Sequence, residues 1–131
     1  MKTQLLAAMS IALATQFAHA APVWKKSGEV SYLCGGVGAE EFASLESLKA
    51  SSNLAVLLTA GERGAYVSDV MLTVSGAQLK VPLIIGAAGP LCVFRMPPGR
   101  YDVQAERAGQ IKSARVQVGS RVTSTQLRFA E

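Results

Sequence analysis

Short apolar segments separated by glycine and proline turns fill the chain from Leu54 to Phe129, and this spacing is what most constrains the fold. The segments recur at intervals of about ten residues, and most of them alternate apolar with polar side chains. Such alternation is typical of strands that turn one face to a core and the other to water. About six or seven strands of this kind predict an antiparallel β-sandwich.

The segments differ in the environment they predict. Leu54–Thr59 is apolar throughout, which indicates a strand buried on both faces. Pro98 and Gly99 predict a type II turn, because proline presets φ at its second position and glycine accepts a positive φ at its third. The other predicted strands are Tyr66–Ser75, Leu79–Ile85 with Pro82 at an edge or bulge, Leu91–Met96, Arg100–Ala105, Lys112–Val118 and Thr123–Phe129.

One segment has helical periodicity. Phe42, Leu45 and Leu48 recur at a spacing that places them on one stripe of a helix over about residues 39–50. Acidic residues in the first turn and Lys49 in the last turn suit the helix dipole. The sequence therefore predicts one amphipathic helix that precedes the strands and packs on the sandwich or across its edge.

The first twenty residues have the features of a cleavable export signal. Lys2 gives a positive start, Leu5–Ala14 is apolar, and Ala18-His19-Ala20 is a small-x-small cleavage site. Cleavage there removes the only histidine of the chain, and the short signal suggests a periplasmic location. The predicted organisation is an export signal at 1–20, a loose leader at 21–29 and one domain at 30–131.

The charge of the chain is modest. The formal net charge of +4 falls to +3 when Lys2 is removed with the signal, which is too little to argue for a nucleic-acid partner. No segment after the signal is long enough to span a bilayer, so we expect no transmembrane segment in the mature chain. The basic excess lies late, and it is interpreted either as solvated strand positions or as a contact surface for an acidic partner or lipid headgroups.

Two cysteines, Cys34 and Cys92, remain after the signal is removed. In an oxidising compartment an even number of cysteines favours a disulfide. The bridge would close a loop of about 59 residues, which the chain-entropy treatment values at about 4 kcal/mol. The alternative is a pair of buried thiols that never meet. A nucleophilic cysteine is not expected, because the mature chain has no histidine to activate it.

The residue patterns predict no catalytic residue, no metal site and no cofactor. Serine nucleophiles need a base, and the neighbouring Glu40 and Glu41 point about 100° apart on a helix, so they cannot flank one bond. The Gly35–Gly38 segment before the helix is interpreted as a flexible turn, with anion binding by its backbone N–H groups as the alternative. A further alternative is an aromatic platform for a sugar or peptide, made of Trp24, Tyr32 and Tyr66.

A recognisable motif lies late in the chain. Arg95–Ala105 reads R-M-P-P-G-R-Y-D-V-Q-A and is followed by Gly109 and by Val116–Val118. This resembles the L-P-x-G-x-Y-x-V-x-A…G…V-x-V run of carboxypeptidase regulatory-like domains. Tyr66–Val74 is similar to that family's early strand, and Gly35–Glu41 with the helix is similar to exported proteobacterial proteins with this sandwich. The resemblance implies a seven-stranded transthyretin-like sandwich that carries no catalytic residues.

The expected fold is thus mainly β, an antiparallel transthyretin-like or immunoglobulin-like β-sandwich with one N-terminal amphipathic helix. The expected function is that of a non-catalytic periplasmic binding or interaction module for a protein or envelope component. The alternative is a structural or assembly subunit of a cell-envelope complex, and an enzyme is the least favoured class. The contact surface is expected on loops at one end or on the late basic strands, with Arg100, Arg107, Lys112 and Arg115 as its candidate residues.

Overall fold

The computed structural model describes residues 23–131, so the expected export signal lies outside the described residues. The described chain forms two β-sheets packed face to face and one short helix, which confirms the expected antiparallel-rich sandwich. The strands are β1 Lys25–Ser27, β2 Val30–Gly35, β3 Leu54–Ala60, β4 Ala65–Tyr66, β5 Val70–Ser75, β6 Leu83–Ala87, β7 Leu91–Arg95, β8 Gly99–Arg107, β9 Gln110–Val118 and β10 Thr123–Phe129. The helix α1 spans Ala39–Ser47 and is followed by a 3₁₀ turn at Leu48–Ser51.

The strands are divided between two sheets. Sheet A has the order β1-β2-β7-β3-β10, with β4 paired to the end of β3, and sheet B has the order β6-β5-β8-β9. All neighbours are antiparallel except β3 and β10, which run parallel from the Leu54–Thr123 pair to the Ala60–Phe129 pair. The long early strand and the last strand of the chain are therefore neighbours.

The core lies between the inner faces of the two sheets. Its largest fully buried side chains are Tyr101, Phe94 and Phe129. The strand β3 contributes Leu54 to this core and buries Ala55 on the opposite face of sheet A. The prediction that this strand is buried on both faces is therefore confirmed, because it has the second sheet on one side and the helix on the other.

The helix α1 covers the outer face of sheet A. Leu45 is buried against Leu91 and Val93 of β7, and Phe42 and Leu48 pack at the margins of the same cluster. The apolar stripe expected from the spacing of these three helical side chains is thus the packing face. The helix proper is shorter than expected, because its last residues tighten into the 3₁₀ turn.

The two cysteines form a disulfide. Cys34 of β2 and Cys92 of β7 are directly opposite each other in the antiparallel ladder, with their Cα atoms 4.1 Å apart. Their sulfur atoms are bonded, which excludes the alternative of two separate thiols. The bridge lies on the inner face of sheet A and fastens β2 to the centre of that sheet.

The strand boundaries differ from the expected ones in three places. The segment expected to be a loose leader contains β1, whose three residues are all exposed. The expected strand Tyr66–Ser75 is divided into β4 and β5, because Asp69 has a positive φ of 60° that no strand accommodates. The strand expected at Leu79–Ile85 begins only after Pro82, which lacks the N–H group that a ladder needs.

The turn before β8 also differs from the expected type. Gly99 has a φ of 152°, where the third residue of a type II turn has about +80°. The side chain of Gln78 occupies the place that a Cβ at Gly99 would need. Glycine is thus favoured here by its backbone conformation, since the flexible end of the Gln78 side chain could move away from a Cβ.

Replacing Tyr101 with phenylalanine should lower the free energy of unfolding by about 1 kcal/mol near neutral pH, because the buried hydroxyl donates a hydrogen bond to the Pro97 carbonyl. Burial, and to a smaller extent the nearby Glu29 carboxylate, raise the pKa of Tyr101 above its ordinary value of 10.0. A raised pKa in the folded state stabilises the protein below pH 10, and this stabilisation is lost as the pH rises through the folded pKa.

The difference between wild type and Tyr101→Phe should therefore shrink above pH 10. Urea unfolding at neutral and alkaline pH measures it, and Tyr66→Phe, at an exposed tyrosine, controls for the loss of a hydroxyl group. An unchanged difference at high pH would contradict the expectation.

Candidate functional site

The two outer faces of the sandwich are unequal. The outer face of sheet A is covered by α1 and the residues around it. No element of the described residues covers the outer face of sheet B. We call this surface the open face, and it consists of Met71, Thr73, Ser75, Ile84, Gly86, Arg100, Asp102, Gln104, Glu106, Ile111, Ser113, Arg115 and Gln117.

Three apolar side chains are exposed on the open face, towards the end that carries Met71 and along β6. Met71 is 48% exposed, Ile84 is 63% exposed and Ile111 is 58% exposed. Met71 lies diagonally next to Ile84 on the neighbouring strand, and Glu106 separates it from Ile111. Single exposed apolar side chains are common, but three on one flat sheet form a surface that a partner can dehydrate at little cost.

The centre of the open face is polar and uncharged. Thr73, Gln104 and Ser113 lie side by side on three adjacent strands, and Ser75 lies next to them. Together with the neighbouring charged pair they line a shallow groove across the sheet. Hydroxyl and amide groups both donate and accept hydrogen bonds, so this groove can bind polar groups of either kind.

The other end of the open face is charged. The Arg115 Nε atom lies 3.1 Å from Asp102 Oδ1, and both side chains are exposed. The Arg100 Nε atom donates a hydrogen bond of 3.1 Å to Gln117 Oε1. An exposed ion pair contributes about 0–1 kcal/mol to stability, so these side chains remain available for a partner.

The four basic residues expected to form a contact surface lie on two different faces. Arg100 and Arg115 are on the open face, diagonally opposite each other on β8 and β9. Arg107 and Lys112 point to the opposite side of the sheet, which is the core side. They lie near the ends of β8 and β9, where Arg107 is half-buried and Lys112 is exposed. The alternation of strand side chains accounts for this, because the residue numbers of Arg100 and Arg107, and of Lys112 and Arg115, differ by an odd number.

Arg107 and Lys112 have different surroundings from each other. Lys112 lines an open depression together with Arg63, Arg128, Glu62 and Glu131, at the end of the sandwich where β10 finishes. Three basic and two acidic side chains line it, so the depression carries only a small excess of positive charge.

Arg107 lines a second depression together with Asp69 and Glu106. The structure thus brings together two of the four expected basic residues and leaves the other two in separate places.

The three aromatic residues proposed as a platform lie apart. The Arg95 guanidinium lies 4.0 Å from the centre of the Trp24 ring, which is a cation–π contact. Tyr66 stacks on Phe42 of the helix with ring centres 4.7 Å apart. Tyr32 packs at the edge of the core against Phe94. Their rings are engaged in packing, so they do not form a common surface.

The glycine-rich segment before α1 serves as the entry to the helix. Gly35 belongs to β2, and Gly38 is the N-cap residue, with its carbonyl accepting a hydrogen bond from the Phe42 N–H. The Glu41 carboxylate lies against Gly35, in the first turn of the helix. A negative side chain of the chain itself therefore interacts with the positive end of the helix dipole, which disfavours a bound anion there.

Asn53 is the residue whose importance the sequence does not reveal. Its Nδ2 atom donates hydrogen bonds to the carbonyls of Met96, at 2.7 Å, and Gly119, at 3.1 Å, and its Oδ1 atom accepts one from the Met96 N–H. Its backbone also bonds to Phe94 and Thr123. One side chain thus ties together the start of β3 and two turns that lie more than forty residues away.

Groups of three or more metal-ligating side chains do not occur among residues 23–131. Within the same residues, neither helix is long and apolar enough to cross a membrane. A scan against protein-family models finds no match to this chain, and a search of curated proteins finds no similar sequence.

Proposed function

We propose that this chain is a non-catalytic, exported binding or interaction module of the periplasm, and that it binds its partner through the open face of sheet B. The observation that carries the proposal is the inequality of the two outer faces. The helix covers one of them with Leu45 and its neighbours, while the other exposes Met71, Ile84 and Ile111 beside a polar groove. A sheet face left open with apolar side chains on it is a common feature of interaction sites.

Three further points support the proposal. The disulfide between Cys34 and Cys92 suits an oxidising compartment, as does the export signal expected at residues 1–20. The late motif from Arg95 resembles carboxypeptidase regulatory-like domains, whose role is accessory and not catalytic. The only histidine of the chain, His19, lies within the expected signal, so acid–base chemistry near neutral pH lacks its usual side chain.

A photo-crosslinking amino acid introduced at Gln104 should form ultraviolet-dependent adducts with an envelope component. Gln104 is exposed at the centre of the open face, so a partner bound there lies within reach of the reactive group. The matched control is the same amino acid at Ala43, which is exposed on the helix side of the sandwich. Gel shifts of the exported protein after irradiation in cells measure the adducts.

Adducts from position 104 with none from position 43 would agree with the proposed surface. Equal labelling from both positions, or labelling from position 43 alone, would contradict it.

A structural or assembly role in an envelope complex is the second candidate. The observation that favours it is the strand β6, which pairs on one side with β5 and has no partner on its other side among the described residues. An unpaired edge is a template on which another strand can add.

A further inference from the structure

The edges of the two sheets differ in how they are protected against pairing with another chain. Sheet A begins with β1, which has only three residues, all exposed, and two of them are Lys25 and Lys26. Short edge strands with lysines resist the addition of a further strand, because pairing would bury their charges. This edge is therefore a poor site for association.

The edges of β9 and β10 protect each other. Thr123 Oγ1 donates a hydrogen bond to the Gln117 carbonyl at one end. At the other end, the Gln110 side chain accepts a bond from the Ala130 N–H and donates one to the Ala130 carbonyl. Side chains thus hold the two edge strands together at both ends, and an added strand would have to displace these bonds.

The edge of β6 is less protected, because its nearest lysine and proline, Lys80 and Pro82, lie before the strand and not within it. Leu83–Ala87 contains no charged residue and no proline, and it pairs with β5 in five consecutive positions without a bulge. Every second residue of an edge strand directs its N–H and C=O groups away from the sheet, where only water satisfies them. Ile84, and Val81 just before the strand, are 63% and 72% exposed.

We propose that β6 pairs with β6 of a second copy of this chain, antiparallel and about a two-fold axis, to join the two B sheets into one eight-stranded sheet. The strand order would then be β9-β8-β5-β6 followed by the same four strands of the second copy in reverse. The two Ile84 side chains would lie on the same face, next to the axis, and would remove each other from water.

The charges at the two ends of β6 favour a second copy as the occupant. Lys80 is exposed at the start of the strand, while Asp69 and Glu106 are exposed around its end, together with the half-buried Arg107. Antiparallel pairing places the start of each strand beside the end of the other, so each Lys80 approaches the end that carries Asp69 in the other copy. The same chain thus supplies an apolar centre and complementary ends.

The proposed interface is isologous, because the same patch of each copy contacts itself across the two-fold axis. It shares Ile84 with the open face, but it uses the free edge of β6 and leaves the groove around Gln104 accessible. It would nevertheless double the area of the open face, since both copies present that face on the same side of the joined sheet.

The test compares Ile84→Lys with Ile111→Lys by sedimentation velocity, on protein expressed from the full sequence. Both residues are exposed isoleucines on the open face, but Ile111 lies on β9, about 14 Å from β6 across three strand spacings. The wild type should form dimers between about 1 µM and about 1 mM. Ile84→Lys should weaken the dimer at least about tenfold, because it places two like charges next to the axis, and Ile111→Lys should leave it unchanged.

Hydrogen exchange gives a second readout that locates the contact. Amides of Leu83–Ala87 should exchange more slowly as the protein concentration rises, while those of the exposed β1 strand should not change. A wild type that stays monomeric over the whole range would overturn the proposal, as would a dimer that resists Ile84→Lys or is broken equally by Ile111→Lys. Because crosslinking from Gln104 needs no dimer, either proposal can fail while the other stands.

Discussion

Replacing both Cys34 and Cys92 with alanine should lower the free energy of unfolding by about 4 kcal/mol, which corresponds to a fall in Tm of roughly 15 °C. The disulfide joins residues 58 positions apart, so its removal returns a large loop entropy to the unfolded chain. Guanidinium unfolding of the double variant, compared with the oxidised wild type, measures the change.

Reduction of the wild type is the matched control for this experiment. Wild-type protein in excess dithiothreitol should unfold at the same midpoint as the double alanine variant, since both lack the same bond. A loss of less than about 1 kcal/mol would mean that the unfolded chain is already held compact near these residues. It would contradict the assigned role of the bridge as a main source of stability.

Asn53→Asp should lower the free energy of unfolding by about 3 kcal/mol, although the two side chains have almost the same shape. The amide donates to two carbonyl groups, and an ionised carboxylate has no proton to donate and faces both oxygens with a negative charge. Because the Met96 N–H can still bond to the remaining oxygen, the loss is confined to the two donated bonds.

Gln104→Glu is the matched control, because it also replaces an amide with an acid but at a side chain that donates no such hydrogen bonds. Gln104 is exposed on the open face, and the same replacement of an amide by an acid should change stability there by no more than about 0.5 kcal/mol. Thermal unfolding of both variants measures their loss of stability. The comparison separates the effect of losing the two donated hydrogen bonds of Asn53 from the effect of adding a negative charge. Equal losses in both variants would refute the view that Asn53 holds the two turns in place.

Local patterns predicted much of the fold because most of the chain obeys strand periodicity. The alternation around Tyr101 and Val103 identified a strand with one buried face, and the unbroken run from Leu54 identified the strand buried on both faces. The stripe of Phe42, Leu45 and Leu48 identified the helix and the face it packs. Each of these features depends on neighbours within a few residues.

The features that the sequence did not predict depend on distant residues. The parallel pairing of β3 with β10 joins segments about seventy residues apart, and no local pattern encodes the direction of pairing. The hydrogen bonds of Asn53 likewise form only after two remote turns have assembled around it. The division of Tyr66–Ser75 follows from the single backbone conformation of Asp69, which composition does not reveal.

The candidate site was predictable in part. A count of residue parity along β8 and β9 separates Arg100 and Arg115 from Arg107 and Lys112, once the two strands are known to pair. The helix covers the outer face of sheet A because of tertiary packing, and no pattern within a single strand indicates this choice. The open face therefore required the structure, and its charged end required the pairing of β8 with β9.

The parallel pairing of β3 with β10 also determines when sheet A can be completed. One side of β3 stays unpaired until the seven residues of β10 are present, and Leu127 and Phe129 are missing from the core until then. Contacts between such distant segments form slowly. Neither sheet A nor this part of the core can therefore be completed before β10 has been made.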